Sequence, residues 1–360
     1  MNYENEKIRK LPVDSLGELT PKHAIKLNSN ENAYPPSPKV MKFLKTVKTD
    51  VLRLYPDITC GSLKAKICKT LNQTTKFKNF KLTNENLFIA NGSDQVLAMI
   101  FQVFFEKCKE PVLIPDVTYC YDIWADISEA NYKFIPNNPD FSIDIKKLQS
   151  EKAKGVILAN PNTIGLALTI EQVRELVEFY AGKGIVVIDE AYIKFSSQES
   201  AVKLVEEFDN IIITQSFSKA YSLAGARIGY AISQKNNILA LEKLKDAYSL
   251  VLVNELSISV AEKALESEDY YDKTIQRIKN SRDDFMKFLQ SKSCYEFVPS
   301  ETSSVFVKHK NLSGNELYTK LKEHDIYVRL FGAPKIKDYV RITTGTEKEM
   351  KKVKSAFEEL

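Results

Sequence analysis

GVILANPNTIGLALTIEQVRELVEFYAGKGIVVIDEAY, residues 155–192, holds the pattern that decides the fold. It opens on an aliphatic run, GVILA (155–159), and closes on another, IVVID (185–189). Neither run alternates apolar with polar residues, so each reads as a strand buried on both faces. Between them Ile170, Val173, Val177 and Tyr180 recur at helical spacing, and Thr169 with Gln172 has the spacing of a capping box. Strand, helix and strand in this order predict a parallel crossover unit.

The same rhythm extends outward. LFIA (87–90), VLIP (112–115) and IIIT (211–214) are further short aliphatic runs. An amphipathic stretch after Asp94 aligns Val96, Met99, Ile100 and Val103. The fold class is therefore α/β, with a mainly parallel central sheet in a large domain. The last hundred residues differ. A long helical pattern over 268–292 precedes the short strands SSVFVK, IYVRL and YVRIT. Ser313 with Glu316 and Thr346 with Glu349 mark two more helix starts. This predicts a smaller α+β domain. The expected organisation is an N-terminal arm over 1–30, a large domain over 31–250 and a small domain over 251–360.

The 51 basic and 47 acidic residues are mixed along the chain and leave a net charge of +4. No basic block marks a nucleic-acid partner, though the balance favours approach of an anionic substrate. Five cysteines without a CxxC pair argue against structural disulfides and fit a reducing compartment. Three scattered histidines give no support for a metal site. The charged start MNYENEKIRK lacks an apolar signal core, and no apolar run has the length of a membrane span. The expectation is a cytoplasmic protein.

Four segments carry candidate chemistry, each at the end of an expected strand, where open α/β sheets bind ligands. NGSDQ puts Gly92, Ser93 and Asp94 at a helix start, which suits a phosphate and equally suits a simple helix cap. IVVIDEAY ends on Asp189 and Tyr192; such an acid can bind a cofactor, a ribose or a metal, or cap a turn. In TQSFSKAYSLAGARIGY, Lys219 leaves an apolar strand beside Ser216 and Ser218, with Arg227 following. A partly dehydrated lysine amine is a nucleophile, and small hydroxyls with an arginine bind phosphate. The bland alternative is a surface lysine. NPNTIG offers Asn162 as a hydrogen-bonding group, or only a loop turn.

In their order and spacing these segments resemble the class I/II aminotransferases of pyridoxal-phosphate (PLP) fold type I, and within them the histidinol-phosphate aminotransferase family. The resemblance runs nearly end to end, through LNSNENAYPPSP, LRLYPD, ANGSDQVL, PDVTYCYDIW, VVIDEAYIKF, QSFSKAYSLAGARIGYAI, TSSVFVK and VRITTGT. It implies a PLP cofactor, with Lys219 as the Schiff-base lysine and Asp189 pairing with the pyridine nitrogen. Tyr192 and Asn162 would bond the ring hydroxyl, and Tyr119 would stack on the ring. Ser93, Asp94, Ser216, Ser218 and Arg227 would hold the cofactor phosphate. Tyr55, in RLYPD, would reach the neighbouring subunit's cofactor, which implies a homodimer. NPNTIG is shorter than the family's usual NPNAPTG loop, NENAY replaces NENP, and TYCY replaces a glycine-containing turn.

Arg329 in IYVRL and Arg341 in YVRIT alternate with aliphatic neighbours, so both can leave the core side of their strands. Alone they read as solvated charges or as a convergent anion site. The resemblance implies the latter, for a substrate phosphate, and also counts Asn162 among the substrate-binding residues. The implied reaction is amino transfer between histidinol phosphate and 2-oxoglutarate, giving imidazole acetol phosphate and glutamate. The alternatives keep the cofactor and change the amine phosphate: a serinol-phosphate/dihydroxyacetone-phosphate aminotransferase, or a phospho-amino-acid decarboxylase. A PLP-binding regulatory module lacks a basic DNA-binding segment here. A nicotinamide dehydrogenase lacks GxGxxG after a strand.

Overall fold

The computed structural model describes residues 4–5, 8–9, 11, 20–118 and 120–360. In chain order its strands are β1 (Ile25–Leu27), β2 (Leu87–Ala90), β3 (Val112–Pro115), β4 (Tyr132–Ile135), β5 (Gly155–Ala159) and β6 (Ile185–Asp189). They continue with β7 (Ile211–Ser216), β8 (Gly229–Ser233), β9 (Tyr295–Val298), β10 (Ser304–His309), β11 (Ile326–Leu330) and β12 (Val340–Thr343). Seven form one sheet in the order β2-β8-β7-β6-β5-β3-β4. Within it β4, β3, β5, β6 and β7 run parallel, and β8 is antiparallel to both β7 and β2. The mainly parallel sheet expected from the aliphatic runs is present, and each run is buried.

The physical reason for those unbroken runs is the two cores they separate. Val156, Leu158, Val186, Ile188, Ile211 and Ile213 pack on one face with Leu63, Ile67, Val173 and Val177. Ile157, Val187 and Ile212 pack on the other with Val96, Ile100 and Leu241. Each fully buried aliphatic side chain contributes about 1.5–3 kcal/mol relative to exposure. Thr169 caps the helix Ile170–Tyr180 in a capping box with Gln172, and Ser313 and Thr346 do the same for Gly314–Glu323 and Glu347–Glu359.

The other five strands form a second sheet, β1-β11-β12-β10-β9. Its core packs Val305, Val307, Ile326, Val328, Val340 and Ile342 against Leu317, Leu321, Val353 and Phe357. The stretch read as an irregular arm therefore ends in a strand, β1, which pairs parallel with β11. Ile258, Ala261 and Tyr271 belong to the core beside the seven-stranded sheet, whereas Phe285 and Leu289 belong to that of the five-stranded sheet. The helix Glu268–Gln290 thus passes from one core to the other. Among the described residues no helix is long and apolar enough to cross a membrane.

Candidate active site

Ala159, Asp189 and Ser216 are the last residues of β5, β6 and β7. All three line a cleft of about 280 Å³ at the carboxyl ends of those strands. The connection 217–228 between β7 and β8 holds no crossover helix, only the short turn Ala224–Ala226, and the chain doubles back antiparallel. That return carries Ser218, Lys219 and Arg227 into the same cleft.

Asp189 is the most deeply held charge there, at 6 % exposure. Its Oδ2 accepts from the Tyr121 hydroxyl at 3.0 Å, and its Oδ1 from Thr214 Oγ1 at 3.1 Å and the Ala191 N–H at 3.2 Å. Burial nevertheless pushes its carboxyl up to about 6, against these three bonds, which lower it. A cationic N–H partner in the cleft would restore the charged form.

Lys219 Nζ donates to the Ser29 carbonyl at 3.3 Å and lies 5.9 Å from the centre of the Tyr192 ring. The Tyr192 hydroxyl accepts from Asn30 Nδ2 at 2.7 Å, and Asn32 Nδ2 donates to the Lys219 carbonyl at 2.9 Å. The segment Ser29–Asn32 is thus a strap across the lysine.

The opposite end of the cleft is a cradle at the start of the helix Ser93–Ile100. Gly92 precedes it with φ +85°, and a Cβ there would run into the Arg227 guanidinium. A Cβ on Gly229 would meet the Ser93 backbone nitrogen, so only glycine lets β8 come this close to the helix. Arg227 NH2 pairs with Asp94 Oδ2 at 2.7 Å, and Ser216 Oγ accepts from the Ser218 N–H at 3.0 Å.

Arg329 and Arg341 are direct cross-strand partners on β11 and β12. Like charges opposite each other repel, and a shared anion relieves that repulsion. Arg341 is only 9 % exposed, and its NH2 donates to the Asn28 carbonyl at 3.2 Å. The strap that holds Lys219 therefore begins at Arg341. Thr343 Oγ1, also on β12, donates to Asn30 Oδ1 at 3.1 Å.

Ser93, Asp94, Asp189, Tyr192, Ser216, Ser218, Lys219 and Arg227 thus share one cleft, with the arginine pair one strap away. Asn162 does not line it. Its Oδ1 accepts from the backbone N–H groups of Ile164, Gly165 and Leu166 at 3.1, 3.0 and 3.0 Å, so only its Nδ2 hydrogens remain for a ligand. Tyr55 is 91 % exposed and lies outside the cleft. Tyr119 falls outside the described residues. Sequence reasoning missed Tyr121, Thr214, Asn30 and Thr163; the last has a buried hydroxyl without a hydrogen-bond partner and lines the cleft.

Residues 22–357 match the family described as aminotransferase class I and II. A histidinol-phosphate aminotransferase from Brachyspira hyodysenteriae is 38 % identical over 91 % of this chain and 90 % of its own length. One from Syntrophus aciditrophicus is 35 % identical over 97 % of both. The chain belongs to the class I and II aminotransferases, in the histidinol-phosphate aminotransferase family. The fold of this aminotransferase is that of the histidinol-phosphate aminotransferase from Sinorhizobium meliloti, solved in complex with pyridoxal-5'-phosphate, with a TM-score of 0.85. That match covers 100 % of this chain and 97 % of the other at 23 % identity. A tetra mutant of the aspartate aminotransferase from Thermus thermophilus, 15 % identical, aligns over 100 % of this chain and 99 % of its own with a TM-score of 0.83. Both are PLP fold type I.

The donor set fits PLP. The cradle offers a helix N-terminus, two serine hydroxyls and a guanidinium for a phosphate. The buried Asp189 suits a protonated ring nitrogen, and the unpartnered Thr163 hydroxyl leaves a polar contact to be filled. Lys219 stands in the same cleft with its amine accessible.

Proposed function

We propose that this aminotransferase uses PLP to transfer the amino group of histidinol phosphate to 2-oxoglutarate, yielding imidazole acetol phosphate and glutamate. The observation that carries the substrate class is the cross-strand pairing of Arg329 with Arg341, joined to the Lys219 strap through Asn28. Two guanidiniums facing each other suit a phosphate dianion better than a single carboxylate. The names of the relatives support the same substrate.

PLP supplies an electron sink for the bond-breaking at the substrate carbon. Lys219 would hold the cofactor through its amine, and the same amine, once free, would take the proton from the substrate carbon that bears nitrogen. Asp189 holds the ring nitrogen protonated. Tyr192 would bond the ring hydroxyl; Asn162, which does not line the cleft, keeps only its Nδ2 hydrogens for the ring hydroxyl or the substrate. Ser93, Ser216, Ser218 and Arg227 hold the cofactor phosphate, and Asp94 orients Arg227. Arg329 and Arg341 hold the substrate phosphate.

The assembly proposed is a homodimer in which Tyr55 reaches the neighbouring subunit's cofactor phosphate. Exposed Leu52, Leu54, Tyr55 and Ile58 support it, together with exposed Tyr248 and Leu250; Lys245, on the helix Lys235–Tyr248, donates to the Ile58 carbonyl at 3.3 Å. The large unit is taken as 31–250 and the small unit as 251–360, with the arm of 1–30 contributing to the small sheet. The five free cysteines support a reducing, cytoplasmic setting.

The test is a half-reaction. Holoprotein is mixed with histidinol phosphate and no keto acid, and the cofactor spectrum is followed. Rapid conversion to the amine form of the cofactor, absent in Lys219→Ala, is expected. A spectrum that responds only to serinol phosphate or phosphoserine would keep the cofactor and overturn the substrate.

A further inference from the structure

Glu190 follows Asp189 but points to the opposite face of the sheet, and it is only 1 % exposed. Three donors converge on its carboxylate: Ser200 Oγ and the Ala201 N–H, both at 2.6 Å, and Gln215 Nε2 at 2.8 Å. The carboxamide of Gln215 is fixed in that sense because its Oε1 accepts from the Tyr230 hydroxyl at 2.7 Å. A set made only of donors calls for an ionised acceptor, and among the described residues no lysine or arginine pairs with Glu190. These donors favour the ionised form, against burial, which raises the carboxyl to about 7.

The network has a rear opening, a cavity of about 470 Å³ lined by Ser200, Gln215 and Tyr230. The charges there are engaged elsewhere: Lys203 with Glu199, and Lys194 with Glu268, which also accepts from Tyr221. Lys279 reaches the Ser196 carbonyl, and Asp272 lies beside Lys194. Ser200, Gln215 and Tyr230 at its floor are hydrogen-bonded within the protein, so they leave no polar contact to be filled from the cavity.

What the clamp fixes lies on the other face. Glu190 sits between Asp189 and Ala191, whose N–H donates to Asp189. Gln215 sits between Thr214, whose hydroxyl donates to Asp189, and Ser216 of the cradle. The Glu190 N–H also donates to the Thr214 carbonyl at 2.8 Å.

We propose that Glu190 is a positioning residue: through Ser200, Ala201 and Gln215 it sets the geometry and the negative field with which Asp189 meets a ring nitrogen. This rests on the proposed pairing of Asp189 with the PLP nitrogen. Glu190→Gln replaces one acceptor oxygen by an N–H facing donors and removes the charge, so the strand ends must readjust.

The test compares dissociation constants, by equilibrium dialysis of the full-length apoprotein, for PLP and for its analogue with carbon in place of the ring nitrogen. Glu190→Gln is expected to weaken PLP by about tenfold, as one pK unit of lost pairing would, and to leave the carbon analogue nearly unchanged. Ser200→Ala, which removes a single donor, is expected to show the same selectivity at smaller size, and it decides the matter if Glu190→Gln does not fold. Equal weakening of both ligands, or of neither, overturns the proposal. Asp189→Asn is the control. If it too fails to separate the two ligands, the reading of Asp189 itself is wrong; if it separates them and the Glu190 and Ser200 variants do not, only the positioning role falls.

Discussion

Asp189→Asn should change how the stability of the cofactor-free protein depends on pH. Burial raises this carboxyl from an ordinary 3.8 to about 6 in the folded chain. A folded value above the unfolded one means that the folded protein binds the extra proton more tightly. Its stabilising contribution is therefore complete below about pH 3.8 and is lost as pH rises through about 6. The gap between the two values corresponds to about 3 kcal/mol over the whole titration, of which about 2 kcal/mol falls between about pH 4 and about pH 8. With an unfolding entropy of about 2.1 cal/mol/K per residue and 360 residues, that is a shift of about 3 °C. Asparagine preserves shape and can still accept from Thr214 and Ala191. Glu190, raised to about 7 by burial, acts in the same direction in both proteins; the Asp189 charge adds to that rise, so only this smaller part stays in the comparison. The assay is the thermal midpoint of wild type minus that of the variant, scanned against pH without PLP. The difference should fall by about 3 °C from acid to neutral, and bound PLP should flatten it. Parallel curves for the two proteins would refute the argument, because they would mean that Asp189 titrates as a solvated carboxylate.

Gly92→Ala should lower PLP affinity by about tenfold, because φ +85° disfavours a side chain and the new methyl displaces the Arg227 guanidinium; an unchanged dissociation constant would contradict the cradle. Arg341→Ala should lower kcat/KM for histidinol phosphate by about a hundredfold, the loss of a charge-assisted contact, with a much smaller effect on unphosphorylated histidinol. Because Arg329 lies directly opposite, Arg329→Ala should show the same selectivity; equal losses on both substrates would argue against phosphate binding by the pair. Mixing Tyr55→Ala with Lys219→Ala subunits should restore about a quarter of the wild-type sites, since one site of each hybrid dimer regains both residues. No recovery after verified subunit exchange would place Tyr55 outside the neighbouring site.

Much of this protein was written locally. The runs at 87–90, 112–115, 155–159 and 185–189 became strands over those same residues, because burial on both faces leaves a continuous apolar signature that needs no knowledge of neighbours. The three capping boxes formed because each is a contact across three residues of one chain segment. Lys219, Arg227 and the serines around them could be named because one short return between β7 and β8 carries them. Tertiary structure alone decided the rest. The Tyr121 hydroxyl meets Asp189, and Asn30 meets both Tyr192 and Thr343, across sequence separations that no local pattern encodes. Alternation along IYVRL and YVRIT could say that each arginine leaves the core, but not that they face each other. Side-chain direction is a property of one strand, whereas register is fixed only when two strands pair, and that pairing set Arg329 against Arg341.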